Sequence, residues 1–123
     1  MVDDHATTIQ NLKDLLSEFR DLRDWGKFHD PKNLAEAISV EASELLELFL
    51  WKTPEEIGAA LNSDPMFRRA AESELADVIC FCLNLANAVH VDVAKIVMSK
   101  VEENKRKYPV DKAKGKSTKY DKL

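Results

Sequence analysis

Two acidic pairs in this chain have the types and spacing to hold a hard cation. Glu41 and Glu44 stand three apart, and Glu74 and Asp77 repeat the interval. Residues 34–51 read LAEAISVEASELLELFLW. At a helical turn of about 100° per residue, Leu34, Ala37, Ile38, Leu45 and Leu48 share one stripe. Glu41 falls in the middle of that stripe and Glu44 at its edge. Phe67, Ala71, Val78, Phe81 and Leu85 form a second stripe, with Glu74 at its centre and Asp77 at its edge. An unpaired carboxylate on a face that should be dry costs several kcal/mol. Four of them facing one another need protons or a shared cation. Glu47 falls off the stripe and reads as an ordinary or supporting acid.

All four candidate ligands offer oxygen, which suits magnesium or manganese rather than zinc or copper. A di-iron bundle would use Glu-x-x-His pairs, and His5, His29 and His90 are not at that spacing from these acids. Magnesium held by a few carboxylates keeps room for substrate phosphates. The pattern therefore points to phosphate-ester or anhydride chemistry. The metal would polarise a phosphorus centre and acidify an attacking water, and Glu41 or Glu44 would help to take the proton.

Such a substrate also needs cationic donors and a flat slot. Val93, Ile96, Val97 and Val101 make an apolar stripe that Lys100, Asn104 and Lys107 continue. These three are either the last turns of a helix leaving the core or donors aimed at the acids or an anion they hold. The loop Trp25-Gly26-Lys27-Phe28-His29-Asp30 is either a hydrophobic plug or, with Trp51, a wall on which a nucleobase could stack. No Walker loop appears, so phosphate binding would run through metal and side chains. The competing reading is a non-catalytic helical interaction module in which the acids pair with Lys100 and Lys107.

The elements that must position these residues are helices. The chain has 123 residues, 45% hydrophobic and 33% charged, with three glycines and four prolines. That is a soluble, helical composition for one domain, and no alternating strand is evident. The net charge of −4 argues against a nucleic-acid binder. No run is long enough to span a membrane, and no leader is apparent, which gives a cytoplasmic expectation. Cys80 and Cys82 read as small core residues in a reducing compartment.

In chain order, a first helix from Thr7 or Thr8 to about Arg23 ends at Gly26. A second starts at Asp30-Pro31 and ends near Trp51. Thr53 to Glu56 has capping-box spacing for a short third. Asp64-Pro65 starts a fourth, which runs to about His90, is apolar nearly all round from Val78 to Val89, and should be the most buried. Asp92 caps a fifth, reaching about Lys107. Residues 1–109 read as the domain and 110–123 as a flexible lysine-rich tail. The fold expected is all-α, a four-helix-bundle-type protomer with a short extra helix. The all-round apolar helix asks for a partner surface.

Assembled, these residues resemble the MazG-like, all-α nucleoside triphosphate pyrophosphatases, with the greatest likeness to the dCTP pyrophosphatase branch. The carriers are Arg23-Asp24-Trp25, Phe28-His29 with Pro31 and Asn33-Leu34, Glu41-x-x-Glu44-Leu45-x-Glu47, Phe49-x-Trp51-Lys52, Glu74-x-x-Asp77, and Lys100 with Asn104 and Tyr108-Pro109. The resemblance spans residues 12–109. It implies that Glu41, Glu44, Glu74 and Asp77 bind Mg2+, and that Trp25 to His29 and Trp51 line the base and sugar pocket. It also implies cleavage of a (deoxy)nucleoside triphosphate to monophosphate and pyrophosphate, and assembly into dimers and tetramers. Two positions depart from the vertebrate members of the branch. They carry histidine where this chain has Leu16 and tyrosine where it has Phe81, both contacting substrate. Replacing these polar handles bears on base preference and leaves the metal residues intact; a dUTP-type or broader range is the alternative.

Overall fold

Side-chain caps and prolines set most of the helix limits. The computed structural model describes residues 1–123. Helix α1 covers Ile9–Leu22, and Thr8 and Asn11 cap its start reciprocally. Helix α2 covers Pro31–Phe49, where Asp30 accepts from the Asn33 N–H and proline fills the first turn. Helix α3 covers Pro54–Ser63 and opens on the Thr53/Glu56 capping box. Helix α4 covers Pro65–Val89. Asp64 accepts from two N–H groups at its start, and His90 closes it in the left-handed conformation. Helix α5 covers Val93–Lys107 behind an Asp92 cap. A single turn, α6, covers Val110–Ala113. No strand is present, as the composition and helical periodicity lead one to expect.

Two ends fall elsewhere than the sequence suggests. Helix α1 stops at Leu22, and the chain reverses at Asp24 (φ 53°), not at Gly26. A short aspartate tolerates that conformation, and Gly26 instead opens a 3-10 turn, Gly26–Phe28. Helix α2 stops at Phe49, two residues before Trp51, whose φ is 64°.

The chain divides into two compact units, residues 1–90 and 91–123. In the first, α4 packs chiefly against α2 and also meets α1 and α3. The buried residues are Leu34 from α2 and Ala71, Leu83, Asn84 and Ala86 from α4. Helix α4 is thus the most buried element, as its apolar run implies, but its Leu75, Ile79 and Cys82 face outward. Asn87 ties α4 to α1, donating to the Lys13 carbonyl at 3.0 Å and to Ser17 Oγ at 3.1 Å.

In the second unit, Lys100 and Lys107 both grip Glu103, at 3.0 and 2.8 Å. The two ammonium groups hold its carboxyl down at about 2. The segment expected as a tail carries α6 and a 3-10 turn, Tyr120–Lys122. Tyr120 packs edge-on against Tyr108 at 6.0 Å, with the Lys107 ammonium 4.9 Å from its ring centre.

Candidate active site

Packing α2 on α4 brings the acids of the two helices together. Carboxylate oxygens of Glu41, Glu44 and Glu74 lie within 4.8 Å of one another. Glu41 and Glu74, the central positions of their stripes, are half-buried, and Glu44 is exposed. Asp77, also exposed, stands close enough for its charge to act on both Glu41 and Glu74. Glu47 is exposed and is not part of the group.

Burial, and then the neighbouring carboxylates of Glu44, Asp77 and Glu74, pushes the Glu41 carboxyl above its ordinary range. Burial followed by the Glu44 carboxylate does the same for Glu74. One oxygen of each, Glu41 Oε2 and Glu74 Oε2, is buried without a hydrogen-bond partner. Such orphaned acceptors are costly. They fit a hard divalent cation in chemistry, since every donor is a carboxylate oxygen, and in charge, since three close carboxylates cannot all ionise cheaply alone. Within the second unit, Lys100 and Lys107 are both engaged by Glu103 of their own helix.

Beside the acids lies a mainly apolar cavity of about 280 Å³. Asp77 is on its wall, and Trp25, His29 and Phe81 line it. Leu16 and Phe19 of α1 close it from the other side. Phe19 and Trp25 meet edge to face at 5.7 Å. A neighbouring hollow shares Trp25, His29 and Phe81 and adds Phe28 and Asn33. Burial, with a smaller contribution from the Arg20 charge, lowers the His29 pKa and favours its neutral imidazole. His29 Nδ1 is buried and unpartnered.

Other expected members of the first unit do not line this cavity. Trp51 is 97% exposed and lines no part of it, because α2 ends short and the chain turns outward there. Lys27 points to Asp24, at 3.1 Å, with its ammonium 5.5 Å from the Phe28 ring centre. Gly26 contributes backbone to the 3-10 turn, and a Cβ there would meet nothing nearer than 3.9 Å. Asn104 accepts from the Tyr108 N–H through its carbonyl at the end of α5. Sequence reasoning missed Phe19, Cys80 and Asn84 as cavity residues. For Asn84 the signal was available, as one of two amides, with Asn87, inside an otherwise apolar stretch of α4.

The MazG-like family model matches residues 37–123. The dCTP pyrophosphatase 1 proteins of Rattus norvegicus and Homo sapiens are each 40% identical to this chain over 116 residues, covering 94% of it and 68% of their own length. The crystal structure of a pyrophosphatase from Archaeoglobus fulgidus is similar with a TM-score of 0.77 and 39% identity, covering 89% of this chain and 99% of that one. The chain therefore belongs to the MazG-like family, among its pyrophosphatases.

Proposed function

We propose that the protein hydrolyses a pyrimidine deoxynucleoside triphosphate, dCTP foremost, to the monophosphate and pyrophosphate, with Mg2+ as cofactor. The observation that carries this reading is the pair of buried, unpartnered carboxylate oxygens beside an aromatic cavity that shares Asp77 with them. The dCTP pyrophosphatases among the relatives supply the substrate class.

Glu41, Glu44, Glu74 and Asp77 would hold magnesium, which would supply counter-charge to the triphosphate and draw electron density from its phosphorus. Trp25, His29 and Phe81 stack on and orient the base, which sets the anionic end of the substrate toward Asp77. Glu41 or Glu44 serves as base for the water attacking at the α–β linkage. The apolar walls keep bulk water from the slot and strengthen these electrostatic effects.

The protein is proposed to work as a homo-oligomer, a dimer or tetramer. Support comes from the outward apolar side chains of the first unit, such as Leu46, Leu75 and Ile79.

The test is side-by-side turnover of dCTP, 5-methyl-dCTP, dUTP, dTTP and dATP with magnesium, read by a coupled inorganic pyrophosphatase. Pyrimidine turnover with dCTP among the best substrates is expected. No turnover of any triphosphate by folded protein would overturn the proposal.

A further inference from the structure

Helix α4 carries two asparagines one turn apart inside its most apolar stretch, and they have different fates. Asn87 spends its amide on α1, through the Lys13 carbonyl and Ser17 Oγ. Asn84 is 9% exposed, lines the aromatic cavity, and makes no side-chain hydrogen bond. A carboxamide kept at the wall of an apolar slot marks where a polar ligand edge belongs. His29 Nδ1, on the same cavity, is a buried nitrogen without a partner. The cavity, about 280 Å³, is at the small end for ligand sites and suits a single ring system rather than a whole nucleotide.

We propose that Asn84 is the residue that reads the nucleobase, pairing its carboxamide with the hydrogen-bonding edge of a pyrimidine and doing so in either orientation. This rests on the reading of the cavity as the base slot. A carboxamide offers an acceptor oxygen and a donor NH2 side by side. Cytosine presents its exocyclic amine as donor and N3 as acceptor; uracil presents N3–H as donor and O4 as acceptor. One amide serves both edges by turning over about its last bond. In this chain Asn84 opens onto the cavity, and His29, its pKa lowered by burial, favours a neutral imidazole whose Nδ1 has no partner to choose its tautomer. Nothing on the cavity wall therefore fixes the order of donor and acceptor. Leu16 and Phe81 present only apolar surface to this slot. Asn84 takes over as its polar handle, and the slot distinguishes an edge from no edge rather than cytosine from uracil.

The experiment compares wild type with Asn84→Leu on dCTP and dUTP, with melting curves of both. It also follows the Asn84 side-chain amide of the wild type by 15N–1H NMR during titration with dCMP and dUMP. Expected are wild-type kcat/KM values for dCTP and dUTP within about tenfold of each other. The variant should lose roughly 10- to 100-fold on both and keep or raise its Tm, and the wild-type amide should move downfield with either monophosphate. Equal kcat/KM in wild type and variant, an amide resonance that neither nucleotide shifts, or a wild-type preference beyond about 100-fold between the two triphosphates overturns the assignment. Should Asn84→Leu not fold, the NMR titration decides alone. Absence of turnover in the wild type overturns the pyrophosphatase reading instead, and an amide that still shifts would leave Asn84 as a base reader without catalysis.

Discussion

At the scale of single residues, the unusual feature is two carboxyls that fold into a place they resist. Glu41 and Glu74 hold protons more tightly in the folded chain than their ordinary value of 4.5. An acid with a raised folded pKa binds more protons folded than unfolded, so its contribution to stability falls as pH rises from 4.5 through the folded value. With divalent cations chelated, wild-type Tm should therefore drop relative to a Glu41→Gln/Glu74→Gln double variant as pH climbs from 4.5 toward neutrality, and magnesium should restore the wild type alone. Parallel Tm curves for the two proteins would contradict this. These two acids were legible in the sequence because helical periodicity places a side chain on a face, and a charge on a packing face is conspicuous. Asn84 was less so. Periodicity tells which face a residue occupies, whereas whether its amide finds a partner depends on a neighbouring helix: Asn87 meets Lys13 and Ser17, and Asn84 meets a cavity. Trp51 escaped for a similar reason, since its outward turn depends on where α2 unwinds.

At the scale of elements, the helices start where short polar side chains can cap them and proline can follow. Thr8, Asp30, Thr53, Asp64 and Asp92 all accept from backbone N–H groups of the next turn, each worth about 1 kcal/mol. Starts were therefore readable in the sequence. Ends were less so, because a left-handed residue can be Asp24 as well as a glycine. The α1–α4 contact sets the width of the aromatic cavity, and Asn87 is its polar tie. Asn87→Ala should lower stability by about 1–2 kcal/mol in urea titration. It should also raise KM for the triphosphate through Leu16 and Phe19, which α1 supplies to the cavity. An unchanged denaturation midpoint would show that the tie carries no weight.

At the scale of the whole molecule, a single copy leaves much apolar surface in water. Ile79 is 47% exposed and Leu75 49% on one face of α4, while Leu46 of α2 is 58% exposed. Covering that surface with a second copy is the simplest remedy. Light scattering should give a dimer or tetramer for the wild type and a smaller species for Ile79→Glu; a wild-type monomer at micromolar concentration would contradict the assembly. Helices α2 and α4 of one bundle carry the acids, and α4, with α1 and the loop that follows it, lines the aromatic cavity beside them. The most direct measurement is 31P NMR of dCTP incubated with the protein, with and without magnesium, beside Glu74→Gln. Expected is equimolar dCMP and pyrophosphate from the wild type with magnesium, and neither product with chelator or with a folded Glu74→Gln. Release of dCDP and orthophosphate, or undiminished pyrophosphate from Glu74→Gln, would contradict cleavage at the α–β linkage by this acid cluster.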